Sequence, residues 1–179
     1  GLLATRVGEG DLEHTTSADA GLLTLVTRVL QTLEQLELSA GDLKLSELEI
    51  RRLGEVSFLA GDRDWALACY TAAAAIAPAQ PSTLRSLSRL ARELGDDENL
   101  RIHLDGLLDI NPDDPELLRE HARLLTKLGD EGAEKDLRRL EAMGIETAED
   151  KSMMASLAAR AGDTDVALQS IEAALTSNP

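Results

Sequence analysis

The sequence predicts an all-α fold made by stacking one helix–turn–helix unit several times, and three observations predict it. Four Gly-Asp pairs stand at 61–62, 95–96, 129–130 and 162–163, so the dipeptide returns after 34, 34 and 33 residues. A constant period of that length marks one supersecondary unit repeated along a chain. Each pair is flanked by apolar residues at helical spacing, as with Ile50, Leu53, Gly54 and Phe58 before the first pair and Ala66, Tyr70 and Ala73 after it. Finally, Pro78-Ala-Gln-Pro81 returns as Pro112-Asp-Asp-Pro115, again 34 residues later.

Each element follows from this punctuation. Ser46 and Glu49 form a capping box that opens the first unit. Gly takes the left-handed conformation that ends one helix, and the Asp beside it caps the next. The first proline of each proline pair closes a helix, and the second suits the first turn of the following one, with Asp114 as the cap before Pro115. A shift of 34 residues carries the pattern to Leu84, Leu87, Ser88 and Arg92, then to Leu100, Leu104 and Leu107. The third unit has His121, Ala122, Ala133 and Leu137, is one residue shorter after Gly129, and has no closing proline. The fourth has Met154, Ala155, Ala167, Ile171 and Pro179. The expected units are therefore 47–80, 81–114, 115–147 and 148–179. Leu22, Leu23, Val26, Val29, Leu30, Leu33 and Leu36 give an amphipathic helix outside the register, a packing helix within 21–46. Residues 1–20 have no periodicity and read as an extended arm.

With Ile50, Leu53-Gly54, Ala66, Tyr70 and Pro78 in the first unit, and three further units in register, the chain resembles tetratricopeptide-repeat proteins over residues 47–179. It departs from the family pattern at Ser57, where the family prefers Tyr and where Phe58 stands next door. It departs again in the second unit, with Ser88 for Gly and Leu100 for Ala. The resemblance implies a right-handed α-solenoid whose first helices line a concave groove, and a non-catalytic role in protein–protein interaction.

Composition narrows the partners. The net charge of −15 argues against wholesale binding to DNA or anionic lipid. Phe58, Trp65 and Tyr70 are the only aromatic residues, too few for base-stacking platforms. No apolar run approaches the roughly 20 residues that cross a bilayer. The single cysteine, Cys69, gives no intramolecular disulfide, and a cytoplasmic location is the expectation.

The charge is unevenly placed. The first helices of the four units, 47–60, 81–94, 115–128 and 148–161, carry −1, +2, +1 and 0, which leaves −17 elsewhere. Arg51, Arg85 and Arg119 recur every 34 residues, as do Arg89 and Arg123. Arg85, Arg89 and Arg92 share one helical face, and so do Arg119, Arg123 and Lys127. In register with peptide-binding relatives, these cations point to a groove for an acidic peptide or helix of a partner protein, with Phe58 as a candidate apolar anchor. The bland alternative is a set of solvated helix faces paired with the chain's own carboxylates, each pair contributing about 0–1 kcal/mol. Glu55 stands where carboxylate-clamping relatives carry Asn, so a general preference for acidic segments is expected in place of that clamp.

Two other readings stay open. Leu168 and Leu175 lie on the side of the last helix where a further unit would pack, which suggests a scaffold or self-assembling oligomer; residues 1–38 offer a second such surface. An RNA or polyphosphate groove suits the arginines but not the scarce aromatics. No catalytic residues, cofactor or metal site are expected. Cys69 and His103 occupy equivalent sites, but with His121 they lack zinc-type spacing. His121, at a core leucine position, reads as a hydrogen-bonded core histidine.

Overall fold

The computed structural model describes residues 44–177; the expected arm (1–20) and nearly all of the expected packing-helix segment (21–46) lie outside them, as does Pro179. Eight helices follow one another among the described residues, with no strand. They are α1 (Glu47–Leu59), α2 (Arg63–Ile76), α3 (Pro81–Leu94), α4 (Asp97–Ile110), α5 (Pro115–Leu128), α6 (Ala133–Ala142), α7 (Ala148–Ala161) and α8 (Thr164–Ser177). The chain divides into two compact units between Gly95 and Asp96. Among the described residues no helix is long and apolar enough to cross a membrane.

The caps explain the helix bounds. Ser46 and Glu49 form the expected capping box, with the Ser46 backbone N–H donating to Glu49 Oε2 at 2.9 Å. Gly61, Gly95, Gly129 and Gly162 all have positive φ, between 69° and 83°, where a side chain would be strained. Asp62 and Asp96 then accept the N–H groups of Trp65 and Asn99 at 3.0 and 3.1 Å. Asp114 accepts from Glu116 and Leu117 ahead of Pro115. The third Gly-Asp pair differs. Asp130 turns its carboxylate onto the Gly132 N–H at 2.8 Å, and α6 begins only at Ala133 without a side-chain cap. The turn here takes four residues (129–132), against two between α3 and α4 and between α7 and α8, and α6 has 10 residues where its neighbours have 14. Gly144, at φ 69°, follows its end where the first two units have Pro78 and Pro112.

In the first unit α2 packs on α1, and α3 packs on both. Tyr70, Ala66, Phe58, Leu87 and Leu90 form one buried cluster, and Ile50, Cys69 and Ala73 another. Gly54 permits the close approach of α1 and α2, since a Cβ there would lie 2.7 Å from Tyr70 ring carbons. In the second unit α5 packs against α4, α6 and α7, and α8 lies along α7. Leu118, Ala122, Leu137 and Leu140 form its main cluster. Burying each such leucine contributes roughly 2 kcal/mol.

Candidate interaction surface

In the first unit, α1 and α3 bring together most of the residues expected to meet a partner. Arg51 Nε lies 3.2 Å from Glu47 Oε1, which also accepts a hydrogen bond from Thr83 Oγ1 at 2.6 Å. Glu55 accepts from Ser86 Oγ and from the Arg89 guanidinium, whose second contact is the Tyr70 hydroxyl at 3.3 Å. Burial alone would raise the Glu55 carboxyl, but the bonds from Ser86 and Arg89 outweigh it and hold the carboxyl below its usual range. The same burial, with Glu55 nearby, pushes the Tyr70 phenol up to about 12.

Phe58 corrects an expectation. Its ring is 8% exposed and packs with Tyr70, Leu87 and Leu90. Arg89 and Arg63 stack on it at 4.1 and 4.2 Å, and Arg63 is itself held by Glu93 at 2.8 Å. The ring is therefore covered by the protein's own cations and offers no open anchor. Arg85 and Arg92 are exposed on α3. Among the described residues Arg85 makes no hydrogen bond or ion pair, so its charge faces solvent.

The second unit treats its cations otherwise. Arg119 Nε binds Asp150 at 3.0 Å and its guanidinium also donates to the Ile145 carbonyl. Arg123 grips Glu149 through two bonds of 2.6 and 2.7 Å, and Lys127 meets Asp97 at 2.6 Å. The bond from Arg123 holds the Glu149 carboxyl below its ordinary value. The expectation of three open cations on α5 is thus corrected, because each already has a carboxylate from α7 or α4. Asp150 and Glu149, which hold the two arginines, were not picked out by sequence, although they sit where α7 begins beside α5.

The sequence matches no protein-family model and no curated protein. Solved structures are informative. A tetratricopeptide repeat protein from Parabacteroides merdae ATCC 43184 superposes with a TM-score of 0.63 at 20% identity over 89% of this chain. The chain spans 61% of that protein's length. A crystal structure of MamA protein gives a TM-score of 0.64 at 10% identity, over 89% of this chain and 82% of that one. Another, MamA MSR-1 C2, gives 0.63 at 15% identity, covering 89% and 93% respectively. The chain has the tetratricopeptide-repeat fold.

The tetratricopeptide register accounts for further polar residues. His121 is buried, and its Nδ1 lies 2.7 Å from Asp136 Oδ2, so it is the hydrogen-bonded core histidine expected. Asp105 stands 3.2 Å from its Nε2 but without hydrogen-bond alignment. Allowing for the residue lost after Gly129, Asp136 is the repeat equivalent of Cys69 and His103. Sequence reasoning missed it, yet a histidine at one core site called for a polar residue at another in the same repeat. Burial pushes the Cys69 thiol up to about 12, which makes it inert, and lowers the His103 imidazole below its ordinary value. On α8, Leu168 and Leu175 are 55% and 71% exposed, and Ile171, a residue of the repeat pattern, is 47% exposed.

Proposed function

We propose that the chain is a protein-interaction module, and that the exposed face of α3 receives an acidic segment of a partner protein. Stacked helical repeats act by presenting surface, and the resemblance in fold to a tetratricopeptide repeat protein supports that general role. The observation that carries the finer reading is Arg85. Arg51 and Arg89 are each engaged by a carboxylate of the chain, whereas Arg85 is exposed with no such contact among the described residues. With Arg89 and Arg92 on the same helical face, α3 keeps a net charge of +2 in a chain of −15. A partner carboxylate meeting Arg85 gains a bidentate, charge-assisted pair with little competition from the protein itself. The reading thus narrows from a ladder along the repeats to one helix face.

Fluorescence anisotropy with a labelled, Glu- and Asp-rich peptide of about ten residues tests it. Binding that weakens steeply between about 0.05 and 0.5 M NaCl is expected, because exposed charge pairs are screened. Salt-independent binding, or none at low salt, contradicts it. A second reading, self-association through α8, is favoured by the exposure of Leu168, Ile171 and Leu175. Sedimentation that stays monomeric at high concentration removes that reading.

A further inference from the structure

One position of the repeat is closed in three units and open in the fourth. Tyr70, Leu104 and Leu137 are equivalent residues, allowing for the residue lost after Gly129, and they are 0%, 0% and 3% exposed. Ile171 holds the same position on α8 and is 47% exposed. In the first and third units the cover is a pair of apolar residues from the helix that follows. Leu87 and Leu90 of α3 pack in the Tyr70 cluster, and their equivalents, Met154 and Leu157 of α7, pack against the Leu137 cluster. Each pair is spaced i, i+3, which places both members on one side of their helix.

The open face continues on both helices of the last unit. Leu175 is exposed where its equivalent Ala74 is half-buried against the Tyr70 cluster. Ser156 and Ala159 of α7 stand where α1 has Glu55 and Phe58, so α7 offers small side chains in place of a carboxylate and a ring. Leu168 is different. Its equivalent Leu67 stays exposed although α3 is in place, so exposure is ordinary at that position. The rim is acidic. Helix α8 carries Asp165 and Glu172 and no Lys or Arg, and both carboxylates are exposed without a hydrogen bond or ion pair among the described residues.

We propose that this face of α7 and α8 receives a basic amphipathic helix of a partner protein, with two apolar residues three positions apart covering Ile171 and Leu175. The apolar pair is what the same position receives in the first and third units. The basic flank is what the uncompensated Asp165 and Glu172 select. A second copy of the chain is a poorer occupant, because it brings another −15 and an α8 with no cation for Glu172. Helix α3 has the required chemistry, with Leu87 and Leu90 accompanied by Arg85, Arg89 and Arg92, so its sequence makes a probe. Docking here rests on the interaction-module reading but is independent of the α3 face, which takes the opposite charge.

The test uses the full chain and two-dimensional NMR, titrated with a synthetic peptide of residues 81–94 and with a control peptide carrying Leu87→Ser and Leu90→Ser. The first peptide is expected to shift the backbone amides of Ser156, Ala159, Ile171 and Leu175, and the control is not. Ile171→Asp should weaken binding at least about tenfold, as loss of a central apolar contact does, and Leu168→Asp less than about twofold. Glu172→Lys should weaken it at least about threefold by reversing the charge at the rim. All three sites are exposed, and an unchanged circular dichroism spectrum verifies the fold of each variant. Shifts confined to α1 and α2, equal losses in Ile171→Asp and Leu168→Asp, or no response to the first peptide would overturn the assignment. So would a parent dimer in sedimentation that Ile171→Asp dissolves, which gives the face to a second copy. None of these outcomes bears on acidic-peptide binding at α3.

Discussion

The Arg89 guanidinium rests 4.1 Å from the Phe58 ring centroid while it holds Glu55, joining α3 to α1 through one cation. Phe58 is therefore a structural fastening as well as a core residue. Phe58→Ala should destabilise the protein by about 3–4 kcal/mol, since it removes a buried ring and the surface on which two arginines lie. Glu55→Gln should cost less, about 1 kcal/mol, because Ser86 and Arg89 keep a neutral acceptor. Urea unfolding with a constant slope checks both.

His121 and Asp136 form a buried pair whose equivalents in the first repeat are Leu53 and Cys69. Asp136→Leu alone should destabilise by about 2–3 kcal/mol, because it strands the imidazole. His121→Leu together with Asp136→Leu should recover most of that loss, since two apolar residues need no partner. A double-mutant cycle reads the coupling, and strict additivity of the two changes would show that the pair is not energetically linked.

Gly54 marks the tightest approach of α1 and α2. In Gly54→Ala the new methyl carbon would sit 2.7 Å from Tyr70 ring atoms and 3.0 Å from Cys69 Cβ, so the helices must separate. A loss of about 1–3 kcal/mol is expected. A thermal midpoint within about 1 °C of the parent would contradict this account of the contact.

Stability should fall on acidification in two separate windows. The folded-state value of His103 is depressed by burial below its ordinary 6.5, so the unfolded chain takes up protons first. The stabilisation is complete above pH 6.5 and is lost as pH falls through the lower folded value. His103→Gln should flatten that limb. Glu55 is depressed below 4.5, so its contribution is complete above that pH and disappears only in stronger acid. Thermal midpoints between about pH 7 and 3, for the parent and His103→Gln, separate the two.

The fold was legible because its signals are local. The Gly-Asp pairs, the Ser46 capping box and Asp114 each act within a few residues, and period alone carried them through four repeats. Asp130 escaped because the lost residue changes what its carboxylate can reach, which only the turn geometry reveals. The candidate site was less legible. Periodicity aligned Arg89 with Arg123 but was silent on pairing across helices, where Glu149 lies 26 residues from Arg123 and Glu55 lies 34 from Arg89. Glu55 shares the register of those arginines, so the first pairing was present in the alignment of repeats. The burial of Phe58 was not, because it depends on Arg63 and Arg89 converging on one ring.

The central claim is that exposed, unengaged charge, and not the number of arginines, makes the α3 face a docking surface. Binding of the acidic peptide to Arg85→Gln and to Arg123→Gln tests it most directly, because both are exposed arginines on the first helix of a repeat and Glu149 already holds Arg123. The account predicts at least about a fivefold loss of affinity for Arg85→Gln and less than about twofold for Arg123→Gln. Equal losses, or the greater loss in Arg123→Gln, would contradict it.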